Sequence, residues 1–216
     1  MLRPPAITVV TRYSAVLFLL AAAFTFAMIA PAGGWARVVS AALQGGAVLA
    51  ALSRAGANRR LALAGTGAVA VTVGTAAWAA FGGPYLGGIS DLVSAAMLVM
   101  VPTAIVLEFR RGLTITVQSV MAALCIYLVL GMFFASLASA VGALGGEPYF
   151  AGRPPSDRSE YTYFSFVTLA TVGYGDFVPA SPTGRALAVL EGLTGQLYLV
   201  TVVALVVSNV GNTRRS

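Results

Sequence analysis

Long apolar stretches, broken by short polar ones, run through most of this chain. A helix that crosses a membrane needs about 20 largely apolar residues at roughly 1.5 Å each. Six stretches meet or approach that requirement: Tyr13 to Ala30, Arg37 to Leu52, Leu61 to Phe81, Ile89 to Leu107, Leu113 to Leu144 and Arg185 to about Val210. The second is short and rich in glycine and alanine. The fifth carries no charge over 32 positions, enough to tilt or to project beyond the bilayer.

The interval between the fifth and sixth stretches departs from this rhythm. Gly145 to Glu160 is polar, with prolines at 148, 154 and 155. Tyr161 to Ala170 is apolar and aromatic but too short to span. Then come Thr171-Val172-Gly173-Tyr174-Gly175-Asp176 and a proline-containing return, Phe177 to Gly184. The pattern predicts a chain that enters the membrane from outside, turns, and leaves on the same side. Non-helical backbone at that depth is tolerated only where protein or water covers it, so a water-filled path is implied.

Composition sharpens this picture. Of 216 residues, 58% are hydrophobic and 9% charged, against about 25% charged in a typical globular chain. Mean hydropathy is +0.88. A soluble enzyme, a disordered chain and a secreted disulfide scaffold are excluded. The single cysteine, Cys125, forms no intrachain disulfide, and with no histidine the usual zinc sites are excluded too. No organic cofactor is expected.

The net charge is +6, and all 13 basic residues are arginines. They lie singly and in pairs at the ends of apolar segments, a topology pattern rather than a phosphate-binding face, so no nucleic-acid partner is expected. Arg3, Arg12, Arg54, Arg59, Arg60, Arg110, Arg111, Arg214 and Arg215 fall on one side if six helices alternate. Arg37, Arg153 and Arg158 fall in the opposite loops, and Arg185 opens the sixth stretch. The positive-inside bias puts both termini in the cytoplasm. A rival reading of residues 1–32 is a signal peptide ending near Ala30-Pro31-Ala32. Its apolar core of 18 residues exceeds the usual signal core of about 7–15, so a retained helix is expected.

Thr171-Val172-Gly173-Tyr174-Gly175 matches the selectivity-filter sequence of potassium channels. With Phe166-Val167-Thr168-Leu169-Ala170 before it and Asp176-Phe177-Val178-Pro179 after it, the run resembles the tetrameric pore-loop potassium channels over about residues 113–212. The resemblance implies an all-α integral membrane protein. It would have six transmembrane helices, a re-entrant pore helix and filter between helices five and six, and a homotetrameric assembly among membrane lipids. The expected organisation is a four-helix peripheral domain at 1–111, a pore domain at 112–212 and a cytoplasmic tail at 213–216. Within the pore domain lie an outer helix at 113–144, a turret at 145–157, a pore helix at 158–170, a filter at 171–176 and an inner helix at 185–210.

Physical chemistry states the need independently. A bare cation in hydrocarbon costs tens of kcal/mol before relaxation. Backbone carbonyls can replace lost water oxygens without a net charge that traps the ion. Stacking them along one axis requires alternating backbone handedness, and glycine alone takes positive φ at little steric cost. Gly173 and Gly175 alternate with Val172 and Tyr174. K+ ions, the permeant ligand, are expected at Thr171, Val172, Gly173 and Tyr174, with the Thr171 hydroxyl as an inner ligand. Five extended residues reach at most about 17 Å, so the rest of the path is a wider, wet cavity. One chain supplies one quarter of a carbonyl ring, so four must surround the axis.

Supporting residues follow. Asp157 and Glu160 have capping-box spacing, and the C-terminal end of the pore helix would favour a cation. Tyr161, Tyr163, Phe164 and Phe166 are candidates for an aromatic cuff, with ordinary apolar packing as the alternative. Thr168 and Asp176 are filter-support candidates. Val167 stands where some relatives carry a glutamate that braces the aspartate after the filter, leaving Tyr161, Tyr163 or water as the brace for Asp176. Ala170 replaces a common threonine. Glu191, about two turns into the sixth stretch, is expected to hydrogen-bond the back of the pore helix or to pair with Arg185, and an intramembrane carboxylate is functional by default. Gly195 matches the family's inner-helix hinge, with close packing as the alternative. Gly195, Leu199, Val203 and Val207 are the hinge and gate candidates.

The third and fourth stretches contain no arginine. Since each gating charge contributes about 2.3 kcal/mol per 100 mV, no conventional voltage sensor is expected. Asp91 and Glu108, near helix ends, are expected to be solvated or paired, Glu108 with Arg110. No cytosolic ligand-binding domain is expected after the sixth helix. The expected function is passive, potassium-selective conduction, not enzymatic, in a cytoplasmic or plasma membrane. A weakly selective cation channel and a non-conducting scaffold or regulatory subunit are the alternatives.

Overall fold

A computed structural model describes residues 13–56, 58–109, 117–153 and 157–203. The described residues form eight α-helices: α1 (Ser14–Ile29), α2 (Gly34–Arg54), α3 (Arg59–Ala79), α4 (Pro84–Leu98), α5 (Met100–Phe109), α6 (Val117–Leu144), α7 (Arg158–Leu169) and α8 (Pro182–Tyr198). A π-helical turn, Leu199–Val203, extends α8. Four described helical stretches are long and apolar enough to cross a membrane: Gly34–Arg54, Arg59–Ala79, Pro84–Leu107 and Ser119–Leu144.

The elements follow the hydropathy pattern with local departures. The second stretch, short by composition, forms 21 helical residues, because α2 begins at Gly34 and takes Arg37 into its first turn. The first forms only 16 residues, about 24 Å of helix. The fourth begins at Pro84, a residue suited to the first helical turn. It breaks after Leu98, because Pro102 has no N–H for the Leu98 carbonyl and its ring crowds that oxygen. For the sixth stretch, residues 204–210 lie outside the described residues.

A core of Val16 and Leu20 on α1, Val48 and Leu52 on α2, Leu98, Val101 and Ile105 around the break, and Cys125, Val129 and Met132 on α6 joins α1, α2, α4 and α5 to α6. A second cluster, Ala138, Tyr149, Phe150, Tyr161 and Phe164, sits between α6, α7 and the segment that links them. The two cores hold α7 from opposite sides.

Close approach depends on particular glycines. A Cβ on Gly34 would lie 2.5 Å from Ala80 Cβ and 2.7 Å from Ala80 Cα, so α2 meets the end of α3 only because no side chain intervenes. Nothing lies within 4 Å of the corresponding point on Gly46. Gly34→Ala is therefore expected to destabilise the protein by about 1–3 kcal/mol. Gly46→Ala is expected to be neutral or stabilising by up to about 1 kcal/mol. Thermal unfolding in detergent, followed by tryptophan fluorescence, checks the contrast.

Candidate functional site

The short helix α7 is built to end where an unusual backbone begins. Asp157 caps its N-terminus, and Glu160 completes the capping box by accepting from the Asp157 N–H at 3.2 Å. At the other end the Ala170 amide donates to Phe166 O at 3.0 Å and the Thr171 amide to Thr168 O at 2.9 Å. Val172 and Gly173 both donate to Val167 O, at 2.9 and 3.4 Å. The first residues beyond α7 are thus tied to its last turn.

From there the backbone alternates in hand. Thr171, Gly173 and Gly175 have φ of 56°, 57° and 80°. Glycine takes this region freely, whereas a β-branched threonine is an outlier, with strain of about 1–3 kcal/mol. Among the described residues, no carbonyl from Thr171 to Asp176 accepts a backbone hydrogen bond. All six residues are exposed in the single chain, Tyr174 by 71%. Six backbone oxygens thus lack a backbone partner in the single chain.

The surroundings of this segment are fixed by side chains. Tyr163 lies near enough to Asp176 to feel its charge, so Tyr163, rather than Tyr161, faces the aspartate. Tyr161 turns the other way: a Cβ on Gly142 of α6 would fall 2.4 Å from its hydroxyl oxygen. Tyr161 and Phe164 pack with Tyr149 and Phe150, and Phe177 stacks on Phe150 at 4.9 Å between centroids. Phe166 leaves the group and meets Phe24 of α1 at 4.4 Å. The aromatic support therefore draws on Tyr149, Phe150 and Phe177, which carry no sequence signal beyond being aromatic.

The approach and return strands pair. Ala180 donates to Tyr149 O at 2.8 Å, and Ala151 to Val178 O at 2.9 Å. The Tyr149 hydroxyl donates to Gly184 O at 3.3 Å. Burial pushes the Tyr149 phenol well above its ordinary range, so it stays a donor. Arg153 lies 4.0 Å over the Phe177 ring and 3.7 Å from Glu160.

Glu191 is 1% exposed and contacts Ser165 on the back of α7. Ser165 Oγ also lies 2.6 Å from Gly131 O of α6. The hydroxyl has one proton and two oxygen neighbours. Both contacts are satisfied when Glu191 supplies the second proton, donating to Ser165 while Ser165 donates to Gly131. Arg185 instead donates to Pro179 O at 3.3 Å and Ala180 O at 3.2 Å. Gly195 permits close approach: a Cβ there would lie 2.3 Å from Leu169 O, at the end of α7. Gly192 is looser, with Thr168 O at 3.9 Å. Leu199 opens the π-turn. Val203 ends it, with only its backbone described, and Val207 lies outside the described residues.

Asp91, expected to be solvated or paired, is paired: it is 1% exposed. Arg158, the first residue of α7, donates to it at 3.0 Å, and Ser139 of α6 at 2.6 Å. Removing one partner of a buried pair costs about 3–5 kcal/mol. The side chains of Glu108 and Arg110 lie outside the described residues.

The comparisons with known proteins fall on this half of the chain. Residues 122–212 match the family model described as "Ion channel". Over this segment, which carries the Thr171–Asp176 run, the chain is similar to ion channels. A potassium voltage-gated channel protein, shk-1, of Caenorhabditis elegans is 37% identical over 83 residues, covering 36% of this chain and 15% of the relative. Two-pore potassium channel 4 of Arabidopsis thaliana is 39% identical over 61 residues, 28% and 22% of the two chains. The inward rectifier potassium channel Kirbac3.1 of Paramagnetospirillum magnetotacticum is 32% identical over 81 residues, 38% and 26%. The matches thus span only 15–26% of the length of these relatives. No solved structure matches the chain significantly. With this similarity and four described helices long and apolar enough to cross a membrane, the protein is a multi-pass membrane protein.

Two contrasts test the packing. Glu191→Gln, whose amide can donate to Ser165, is expected to keep near-native stability, and Glu191→Leu to lose about 1–3 kcal/mol by removing the hydrogen bond to the buried Ser165 oxygen. Gly195→Ala is expected to destabilise more than Gly192→Ala. The midpoint of thermal unfolding in detergent reads both.

Proposed function

We propose that the chain is one quarter of a homotetrameric, potassium-selective channel that conducts K+ passively down its electrochemical gradient. The observation that carries this reading is the row of unpartnered carbonyls from Thr171 to Gly175 on backbone of alternating hand. Burying such oxygens without a partner is unfavourable. A dehydrated cation has the complementary need. Four copies around an axis would supply rings of oxygens between which K+ exchanges its hydration shell for carbonyls. The names of all three relatives are those of potassium channels, which supports K+ as the permeant ion.

Fourfold assembly also accounts for exposed surface. Along α8, Val189, Leu190, Leu193 and Leu197 are more than half exposed in the single chain. Neighbouring copies would cover part of this face, and lipid the rest. In the assembled protein α7 would re-enter the membrane between α6 and α8, with six spanning segments per subunit and both termini cytoplasmic. Val172, Gly173 and Tyr174 would hold K+ by their carbonyls, and Thr171 by carbonyl and hydroxyl. Asp176, Tyr163 and Thr168 would steady the filter directly. Tyr161 and Glu191 would do so through α6 and α8. The gate would lie where the inner helix loosens after Gly195, through the π-turn at Leu199–Val203 and on towards Val207.

Purified protein in liposomes is expected to pass K+ in preference to Na+ by at least about tenfold, equivalent to 1.4 kcal/mol, and to be blocked by barium. Gly173→Ala forces a side chain into φ of 57° and is expected to abolish the flux while a tetramer remains detectable. Unchanged flux in that variant would place the ion path elsewhere. A tetramer without flux in the parent protein would favour a scaffold.

A further inference from the structure

We infer that Asp91, on a peripheral helix, is a positioning residue for the filter, acting through Arg158 and the pore helix; this rests on reading Thr171–Gly175 as the conduction path. Arg158 is the first residue of α7. A helix N-terminus carries partial positive charge and opposes a cation there. Asp157 and Glu160 already supply the negative charge that this terminus favours. Arg158 therefore does nothing for its own helix. Its contact is Asp91, which belongs to α4 and lies 67 positions earlier.

The carboxylate of Asp91 joins three elements. One oxygen accepts from Arg158 at 3.0 Å and the other from Ser139 at 2.6 Å, so α4, α7 and α6 meet at one buried group. The surrounding charged and titratable groups come from every side. Arg37 of α2 packs its guanidinium where a Cβ of Gly87 would stand, one turn before Asp91 on α4. The Tyr161 phenol on α7 feels the Asp91 charge. A polar cavity of about 290 Å³, lined by Arg37, Ser40, Ser139, Asp157 and Arg158, adjoins the pair. It leaves room for Arg158 to move if α4 shifts.

The other end of α7 leads straight to the filter. The helix has 12 residues, and its last turn accepts the amides of residues 170–173. A displacement at Arg158 is thus carried by a short rigid rod to Thr171. The peripheral helices would act on the filter itself, without any arginine-rich sensor.

The test uses the full-length protein in liposomes and in detergent. Asp91→Asn and Arg158→Gln are expected to assemble and to lower the K+/Na+ flux ratio about tenfold or more. Ser139→Ala, which keeps the charge pair, is expected to lower it about threefold. The exchanged pair Asp91→Arg/Arg158→Asp is expected to recover most of the ratio. Amide hydrogen exchange over residues 158–164 is expected to accelerate in the single variants. If the single-charge variants fail to assemble, Ser139→Ala decides. If the parent protein passes no K+, the conduction reading fails, and amide exchange alone decides the tether. A native flux ratio and native exchange in Ser139→Ala and Asp91→Asn would overturn the inference.

Discussion

Backbone carbonyls without partners are the constraint on which this structure turns. Elsewhere in the described helices, apart from the break at Pro102, the peptide groups largely satisfy one another, as chain in or near hydrocarbon requires. From Thr171 to Asp176 they do not. Everything packed around that segment serves to keep it in a conformation that a free chain would leave. The amides at its start are bonded to α7. Asp176 at its end meets Tyr163. The return strand is paired with the approach strand. The positive φ of Thr171 belongs to the same account, since a strained threonine persists only where its surroundings over-determine it.

Two buried carboxyl groups organise the support. Glu191 ties α8 to α7 through Ser165, and Ser165 in turn contacts α6. Asp91 ties α4 to the start of α7 and to α6. Buried acids are costly unless fully bonded, and here each has a partner within hydrogen-bond reach. Small residues let these elements approach closely. Gly131 admits the Phe166 ring, Gly142 the Tyr161 hydroxyl and Gly195 the Leu169 carbonyl. Helix α7 is therefore held by specific polar contacts at its first and eighth residues, and by packing between them.

Local chemistry made part of this legible in the sequence. The apolar stretches announced helices because burial and length are local properties. The Asp157–Glu160 spacing announced the start of α7, and the glycine alternation announced a backbone of changing hand. The break at Val99 was missed, because hydropathy reads across it and only Pro102 marks it locally. Contacts that join distant positions were not legible. Nothing near Asp91 in the chain points to Arg158, and nothing near Phe166 points to Phe24. The division of labour between Tyr161 and Tyr163 depends on which face of α7 meets Gly142, a property of packing.

The central claim is that these free oxygens face a common axis and hold a dehydrated cation. Anomalous scattering from crystals of the assembled protein grown with thallium, a heavy substitute for potassium, tests it most directly. The account predicts a column of peaks on a fourfold axis, each between successive carbonyl layers from Thr171 to Gly175. Carbonyls turned away from any shared axis, with no ordered cation between them, would contradict it.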